Sequence, residues 1–210
     1  MAPELHIVVP GPLEQRTGGY IYDSRILSGL RGLGWQIEVH NLEGSFPDGG
    51  DGASAALMQA LAAIPDGARV ALDGLAMGAL PRPLRAHRTR LRLLSLVHHP
   101  LADERGLSAE GQRRFADLER EALMSCLGAI VTSPYTATRL EAYGVPPERI
   151  RAVYPGTDTS RIAEGPAEGV PPRMVCVASV IPRKGHDVLV AALALITDLS
   201  WTCVCAGDLS

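Results

Sequence analysis

No run in the 210-residue chain approaches the roughly 20 apolar residues that a membrane-spanning helix needs. Its first residues also lack a basic stretch followed by an apolar signal core. No transmembrane span is therefore expected, and the expected location is cytoplasmic. Aromatic residues make up only 4% of the sequence, and a net charge of −3 comes with no cluster of Lys and Arg. Few stacking platforms and no basic tract argue against nucleic acid as a partner. No Cys-x-x-Cys pair occurs. Cys126 sits in a helical pattern and Cys176, Cys203 and Cys205 in strand-like apolar runs. Each is expected to be a small buried apolar group rather than a metal or redox centre. No Asp-x-Asp is present either.

What is there is a regular alternation of strands and helices. Leu5 to Val9 reads as a buried strand. A bent loop from Pro10 to Thr17 and the pair Gly18-Gly19 follow, then a helix with Ile26, Leu27, Leu30 and Leu33 on its apolar face. Gly34 stands where a left-handed cap ends such a helix. Glycines at a strand-to-helix turn can expose backbone N–H groups to a phosphate or another anion, or can simply let the chain turn. Trp35 to His40 alternates as a partly exposed strand, Glu43 to Gly52 reads as a loop, and Ser54 to Ile64 as an alanine-rich helix. Strands are expected at Arg69–Leu72, Leu91–Val97, Ala129–Thr132 and Arg151–Tyr154. A helical turn is expected at Leu75–Leu80. The longest helix is expected over Ser108–Leu127, with Phe115, Leu118, Ala122 and Cys126 as its buried stripe. Ser133-Pro134 gives a cap and a first-turn proline for a helix that ends near Gly144. The pattern predicts an α/β fold: a Rossmann-like, doubly wound parallel sheet covered on both faces. Leu5, Ile7, Val9, Val70, Leu72, Leu94, Leu96, Ile130, Val153, Val175 and Val177 are expected in its buried strands.

A Gly- and Pro-rich break divides the chain into residues 1–156, a linker over 157–172, and a new unit over 173–210. That unit has strands at Met174–Ala178 and Trp201–Cys205 with one helix, His186–Ile196. Two strands and a helix are too few for an independent doubly wound domain, so an incomplete second unit is expected. One helix covers one face only; self-association or a complementing C-terminal half is the expected way to cover the other.

Six segments in order resemble glycosyltransferase family 4: Thr17-Gly18-Gly19-Tyr20, Leu96-Val97-His98-His99-Pro100, Thr132 to Thr136, Gly144-Val145, Val153 to Asp158, and Pro182-Arg183-Lys184-Gly185-His186-Asp187. The resemblance implies the GT-B architecture, two Rossmann-like domains facing a cleft. The first domain is on the acceptor side, and the second binds a nucleotide-diphosphate sugar. It also implies a retaining hexosyltransferase that moves the sugar to an acceptor hydroxyl, with small-molecule donor and acceptor and no required cofactor. The absence of Asp-x-Asp fits this class better than the metal-dependent GT-A class, and no metal site is expected.

The chemistry explains the residue types. Breaking the sugar–diphosphate bond places negative charge on the leaving oxygen, which fixed donors stabilise best. By resemblance, Gly18, Gly19, Arg183, Lys184 and Gly185 bind the donor diphosphate, and Lys184 carries catalytic weight. His98 and His99 end a strand at the carboxyl edge of the sheet. In similar enzymes a histidine here contacts the donor sugar; His99, nearer the loop, is preferred, with His98 kept beside it. A structural role for the pair, or a metal held with Asp103 or Glu104, is the alternative. Tyr20, Tyr22 and Arg25 are candidates for acceptor contact, or for packing. Thr136 and Arg139 are expected to be solvated, and Thr157 and Asp158 to shape the crossover. Two departures stand out. The family's Gly-Arg at the end of the second-domain strand aligns with Ala178-Ser179, leaving Arg183 to replace the arginine. The family's two glutamates spaced eight apart would fall beyond Ser210, so the chain alone is expected not to catalyse transfer. A GT-B sugar-nucleotide epimerase and a catalytically incomplete binding or interaction module are the alternative functions.

Overall fold

The computed structural model describes residues 2–48 and 50–208. Gly49, in the loop expected over Glu43–Gly52, and Leu209 and Ser210 in the 173–210 unit lie outside them, as does Met1. The chain separates into two compact units, one up to Gly156 and one from Thr157.

The first unit is a six-stranded sheet, every neighbour parallel, built from β1 (Glu4–Pro10), β2 (Gln36–Leu42), β3 (Arg69–Asp73), β4 (Arg92–Val97), β5 (Gly128–Val131) and β6 (Ile150–Ala152). Their order is β2-β1-β3-β4-β5-β6. Because the chain runs outward from β1 to β2 and then returns to β3 on the other side, the order reverses between β1 and β3. In open α/β sheets the crevice outside the carboxyl ends at such a reversal is where ligands bind.

Both faces of this sheet are filled. Val8, Leu57, Leu61, Val70, Leu72, Met77, Leu84, Leu93, Val97, Leu123, Val131 and Leu140 pack into the larger cluster. It includes side chains from α2 (Asp51–Ala63), α3 (Gly74–Met77), α4 (Pro81–His87), α5 (Ala109–Leu123) and α6 (Pro134–Ala142). Ile7, Val9 and Ala71 pack on the opposite face beneath Leu27 of α1 (Gly18–Gly32). Strands covered on both faces can be apolar throughout, which is why their sequences read as near-continuous hydrophobic runs.

Several expectations change. In α1 the buried side chains are Tyr22, Asp23 and Leu27, while Ile26 and Leu33 are 38% and 78% exposed. Residues 22, 23 and 27 share a face as well as 26, 30 and 33 do at 3.6 residues per turn. α2 starts at Asp51, inside the expected loop. α4 was not anticipated; Pro81 and Pro83 both lie in its first turn, where a missing N–H leaves no helical bond unmade. Leu5, Leu94 and Ile130 are only half-buried. Val153 lies beyond β6 and is 40% exposed. Gly34 does adopt a positive φ of 84°, and Trp35 N–H donates to the Leu30 carbonyl at 3.0 Å to close α1.

The second unit pairs β7 (Arg173–Val177) with β8 (Thr202–Ala206), again parallel, and connects them through α7 (His186–Leu193). Here burial departs from expectation: Val175 and Val177 are 61% and 79% exposed. Cys126 is buried, Cys176 and Cys203 are half-buried, and Cys205 is exposed, so the last does not fill a core. Among the described residues no helix is long and apolar enough to cross a membrane.

Candidate functional site

At the reversal between β1 and β3, three polar side chains converge. Asp73 ends β3, His98 follows β4, and Asp23 comes from the first turns of α1. His98 Nε2 lies 3.0 Å from Asp23 Oδ1 and 3.6 Å from Asp73 Oδ2. Asp73 also caps α3, its Oδ1 accepting from Leu75 N–H at 2.7 Å and Ala76 N–H at 3.3 Å. Asp23 is 1% exposed, and its Oδ2 has no hydrogen-bond partner among the described residues. A buried, unpartnered carboxylate oxygen is rare enough to need a reason.

The electrostatics follow from two acids sharing one imidazole. Burial, helped by the charge of Asp23, raises the Asp73 carboxyl to about 6 against the pull of His98 and the cap N–H groups. Burial works to lower the His98 imidazole, but the hydrogen bond and charge of Asp23 and the charge of Asp73 outweigh it, and the net shift is upward. His98 therefore favours its cationic form, as a partner charge would make it.

Gly19 opens this cluster. A Cβ at that position would lie 3.2 Å from His98 Cδ2, tighter than ordinary packing, so the ring sits directly against the glycine backbone. Tyr22 meets the same imidazole edge-on, with ring centroids 5.3 Å apart. Its hydroxyl donates to the Val153 carbonyl at 3.0 Å, and the Tyr20 hydroxyl donates to the Pro10 carbonyl. Both candidate acceptor tyrosines thus spend their hydroxyls on the backbone. Arg25 lies on the exposed side of α1, and Gly18 has open space around it.

The segment after His98 is pinned from three sides. Thr132 Oγ1 donates to the His98 carbonyl at 3.3 Å. Glu119, fully buried in α5, accepts from Leu101 N–H at 3.1 and 3.3 Å through its two oxygens. Burial is the main reason its carboxyl is pushed up to about 8. Arg139 grips Asp103, with Nε 2.9 Å from Oδ2 and a terminal nitrogen 2.6 Å from Oδ1, and the Tyr135 hydroxyl adds a bond at 3.0 Å. Thr136, expected to be solvated, is 2% exposed and bonded to Ser133 Oγ at 2.9 Å. Arg139, expected likewise, is a clamp. Both are corrected: Thr136 is buried and held by Ser133 at the start of α6, and Arg139 finds Asp103 in the segment after β4, 36 residues away in sequence.

His99 lies apart from the cluster: its Nε2 is 3.8 Å from Glu104 and makes no hydrogen bond among the described residues. The structure thus brings Gly19, Tyr22 and His98 together and adds Asp23, Asp73 and Glu119, none of which the sequence reading singled out. Asp73 had a signal, an acid closing a buried strand just before glycine. In the second unit, Pro182–Lys184 form a 3₁₀ turn. Gly185 follows with a positive φ of 66° and starts α7. Arg183 is half-buried and Lys184, the only lysine of the sequence, is exposed. Thr157 and Asp158 are exposed.

Residues 71–161, which include Asp73, His98, His99, Glu119 and Arg139, match the model of Glycosyltransferase Family 4. A search of curated proteins finds no match. Among solved structures, the sucrose-phosphate synthase of Thermosynechococcus elongatus aligns with a TM-score of 0.72 at 17% identity, over 98% of this chain and 62% of that one. The chain thus spans less than two thirds of that enzyme's length. The glycosyltransferase SnogD of Streptomyces nogalater aligns with a TM-score of 0.47 at 17% identity, over 100% of this chain and 69% of that one. Residues 71–161 are thus similar to glycosyltransferase family 4, and the Rossmann-like parallel sheet in which they are set has the fold of the aligned synthase.

Proposed function

We propose that the protein transfers a sugar from a nucleotide-diphosphate sugar to an acceptor hydroxyl with retention of anomeric configuration, and that His98 rather than His99 faces the reacting sugar. The observation that carries this reading is the His98 ring, held between Asp23 and Asp73 and laid against Gly19 at the carboxyl ends of β1, β3 and β4. A ring held on one edge by a buried acid and braced by Tyr22 keeps its orientation without reorganising during reaction, which is what makes fixed polar groups effective.

As the bond from the anomeric carbon to the diphosphate breaks, the sugar ring gains positive character. The carboxyl oxygens of Asp23 and Asp73 beside the His98 ring favour it. Within the second unit, Arg183 and Lys184 stand just before α7, where cations and helix-start N–H groups suit a diphosphate. The acceptor hydroxyl passes its proton to the leaving phosphate oxygen. Tyr20 and Tyr22, committed to backbone carbonyls, shape the wall of the site rather than bind the acceptor's hydroxyls.

The test is turnover, followed by NMR, with a panel of nucleotide-diphosphate sugars and sugar or alcohol acceptors, using the full reading frame that encodes this chain. The expected product keeps the donor's anomeric configuration. His98→Ala and Lys184→Ala are each expected to lower kcat by about 10²–10³, the loss typical of removing one fixed donor. His99→Ala is expected to do much less. An inverted product would overturn retention, and epimerised donor formed without acceptor would overturn transfer. Turnover of His98→Ala within twofold of wild type would remove His98 from the chemistry.

A further inference from the structure

At the opposite side of the sheet's first strands lies a second polar cluster that the sugar chemistry does not use. Strands β1 and β2 are parallel with His6 opposite Glu38 and Val8 opposite His40. Alternation puts His6, Glu38 and His40 on one face. His6 is 2% exposed. Its Nδ1 lies 3.0 Å from His40 Nε2 and 3.5 Å from Glu38 Oε2, while Glu38 Oε1 lies 3.7 Å from the same His40 nitrogen. The two rings stack, with centroids 5.3 Å apart and planes 28° apart, and the Glu38 carboxylate lies beside both facing nitrogens.

We propose that His6, His40 and Glu38 form a binding site for a divalent transition-metal ion of the zinc class. Zinc holds histidine nitrogen at about 2.0–2.1 Å and carboxylate oxygen at about 2.0–2.2 Å. Two such ligands in a tetrahedral arrangement lie about 3.4 Å apart. The three separations of 3.0, 3.5 and 3.7 Å bracket that value. Glu38 presents a different oxygen to each histidine, so it can bind through one oxygen or both, and water completes the shell. Two imidazoles favour zinc-class ions over calcium or magnesium, which take oxygen ligands.

The unused face of His6 fits the same assignment. Its Nε2 is buried, has no hydrogen-bond partner among the described residues, and lies 3.7 Å from Glu4 Oε1. A ligating histidine almost always turns its other nitrogen toward a carboxylate, a backbone carbonyl or water, which fixes the tautomer. A plain hydrogen bond between His6 and His40 would need only one proton on one ring, and would leave Glu38 and Glu4 on these two rings without a role. With an ion bound, the edge strand β2 is tied to β1 by more than its backbone ladder.

The experiment uses the 210-residue protein under reducing conditions, freed of metal with a chelator and titrated with zinc and, separately, with cobalt as a spectroscopic stand-in. One equivalent is expected to bind, to raise the thermal midpoint increasingly with zinc concentration, and to give a cobalt spectrum without a thiolate charge-transfer band. Glu38→Gln and His40→Gln, at positions that reach solvent, are each expected to weaken binding by about 100-fold or more, at least the upper end of the loss seen for an outer-shell partner. The midpoint of each metal-free variant, compared with metal-free wild type, checks that the fold is retained. X-ray absorption on the wild-type zinc complex should show nitrogen and oxygen ligands, and needs no substitution. Binding unchanged in both variants would overturn the site. So would a thiolate band, which would place the ion at Cys176, His186 and Cys205, or no zinc-dependent stabilisation at all.

Discussion

β3 and β7 are both short, parallel, apolar strands followed by a crossover helix, yet their side chains live in different surroundings. In β3, Val70 and Leu72 are fully buried, one sheet face covered by helices α2 to α6 and the other by α1. In β7, Val175 and Val177 are 61% and 79% exposed, and in α7 Val188 and Val190 are 59% and 62% exposed. Fully burying a valine or leucine side chain contributes about 1.5–3 kcal/mol. The first unit collects that contribution from more than twenty such side chains, the second from none among the described residues. An apolar run therefore specifies a strand, but its stabilisation depends on how many neighbours are there to cover it.

The largest expected effect breaks this comparison on the first unit's side. Leu72→Ala removes a fully buried side chain from the middle of β3 and leaves a cavity between sheet and helices. It is expected to cost about 2–5 kcal/mol, the range for such core truncations. Chemical denaturation of the first unit, followed by the fluorescence of Trp35, measures it; a change below about 1 kcal/mol would mean that the sheet is looser than its burial implies.

The next effect concerns pH and sits on Glu119, which has no counterpart in the second unit. Its carboxyl is raised from 4.5 to about 8, first by burial and then by the charge of Asp103. Between those values the folded protein holds a proton that the unfolded chain has released, so stability falls as pH rises through the window. Asp73, raised from 3.8 to about 6 by burial and by Asp23, acts in the same direction at the acid end. The thermal midpoint is therefore expected to fall steadily between about pH 5 and 8. Glu119→Gln, a neutral side chain that still accepts from Leu101 N–H, is expected to flatten the upper half of that fall, above about pH 6. An unchanged slope in the variant would show that Glu119 is ionised in the folded protein.

Much of the fold was legible because its strands are covered on both faces and so read as apolar runs between helices. Parallel pairing, the β1-to-α1 glycine turn and the Ser133 cap, which accepts from Thr136 N–H at 3.1 Å, all follow from local sequence. The candidate site was legible only in part. Gly19 and His98 stand in recognisable strings, but nothing local says that Asp23 in a helix and Asp73 at a strand end will meet the same imidazole. That His98 and not His99 meets those acids needed the fold, because it depends on which ring turns toward α1. Glu119 could have been found: with Phe115 and Ala122 it makes steps of four and three on one face of α5. Leu118 took its place in the expected stripe because a charge in a core is the less common outcome, and Leu118 is only half-buried. The exposure of β7 was not legible either, since residues 174–178 are as apolar as 70–72.

The smallest expected effect sharpens the comparison from the second unit's side. Val177 ends β7 with 79% of its surface exposed, and its backbone pairs with Ala206 in β8 whatever its side chain. Val177→Ala removes two methyl groups that already lie in water, so the change in stability is expected to stay within about 0.5 kcal/mol, as for surface positions generally. Val177→Lys tests the point harder, because a lysine is tolerated only where its ammonium group reaches water. Amide exchange in β7 and β8, compared between the wild type and each variant, reads the second unit separately from the first. Exchange rates within about threefold of wild type are expected for both variants. Faster exchange by tenfold or more, which corresponds to about 1.4 kcal/mol at 25 °C, would show that Val177 is covered in solution by a second copy of the chain or by another partner.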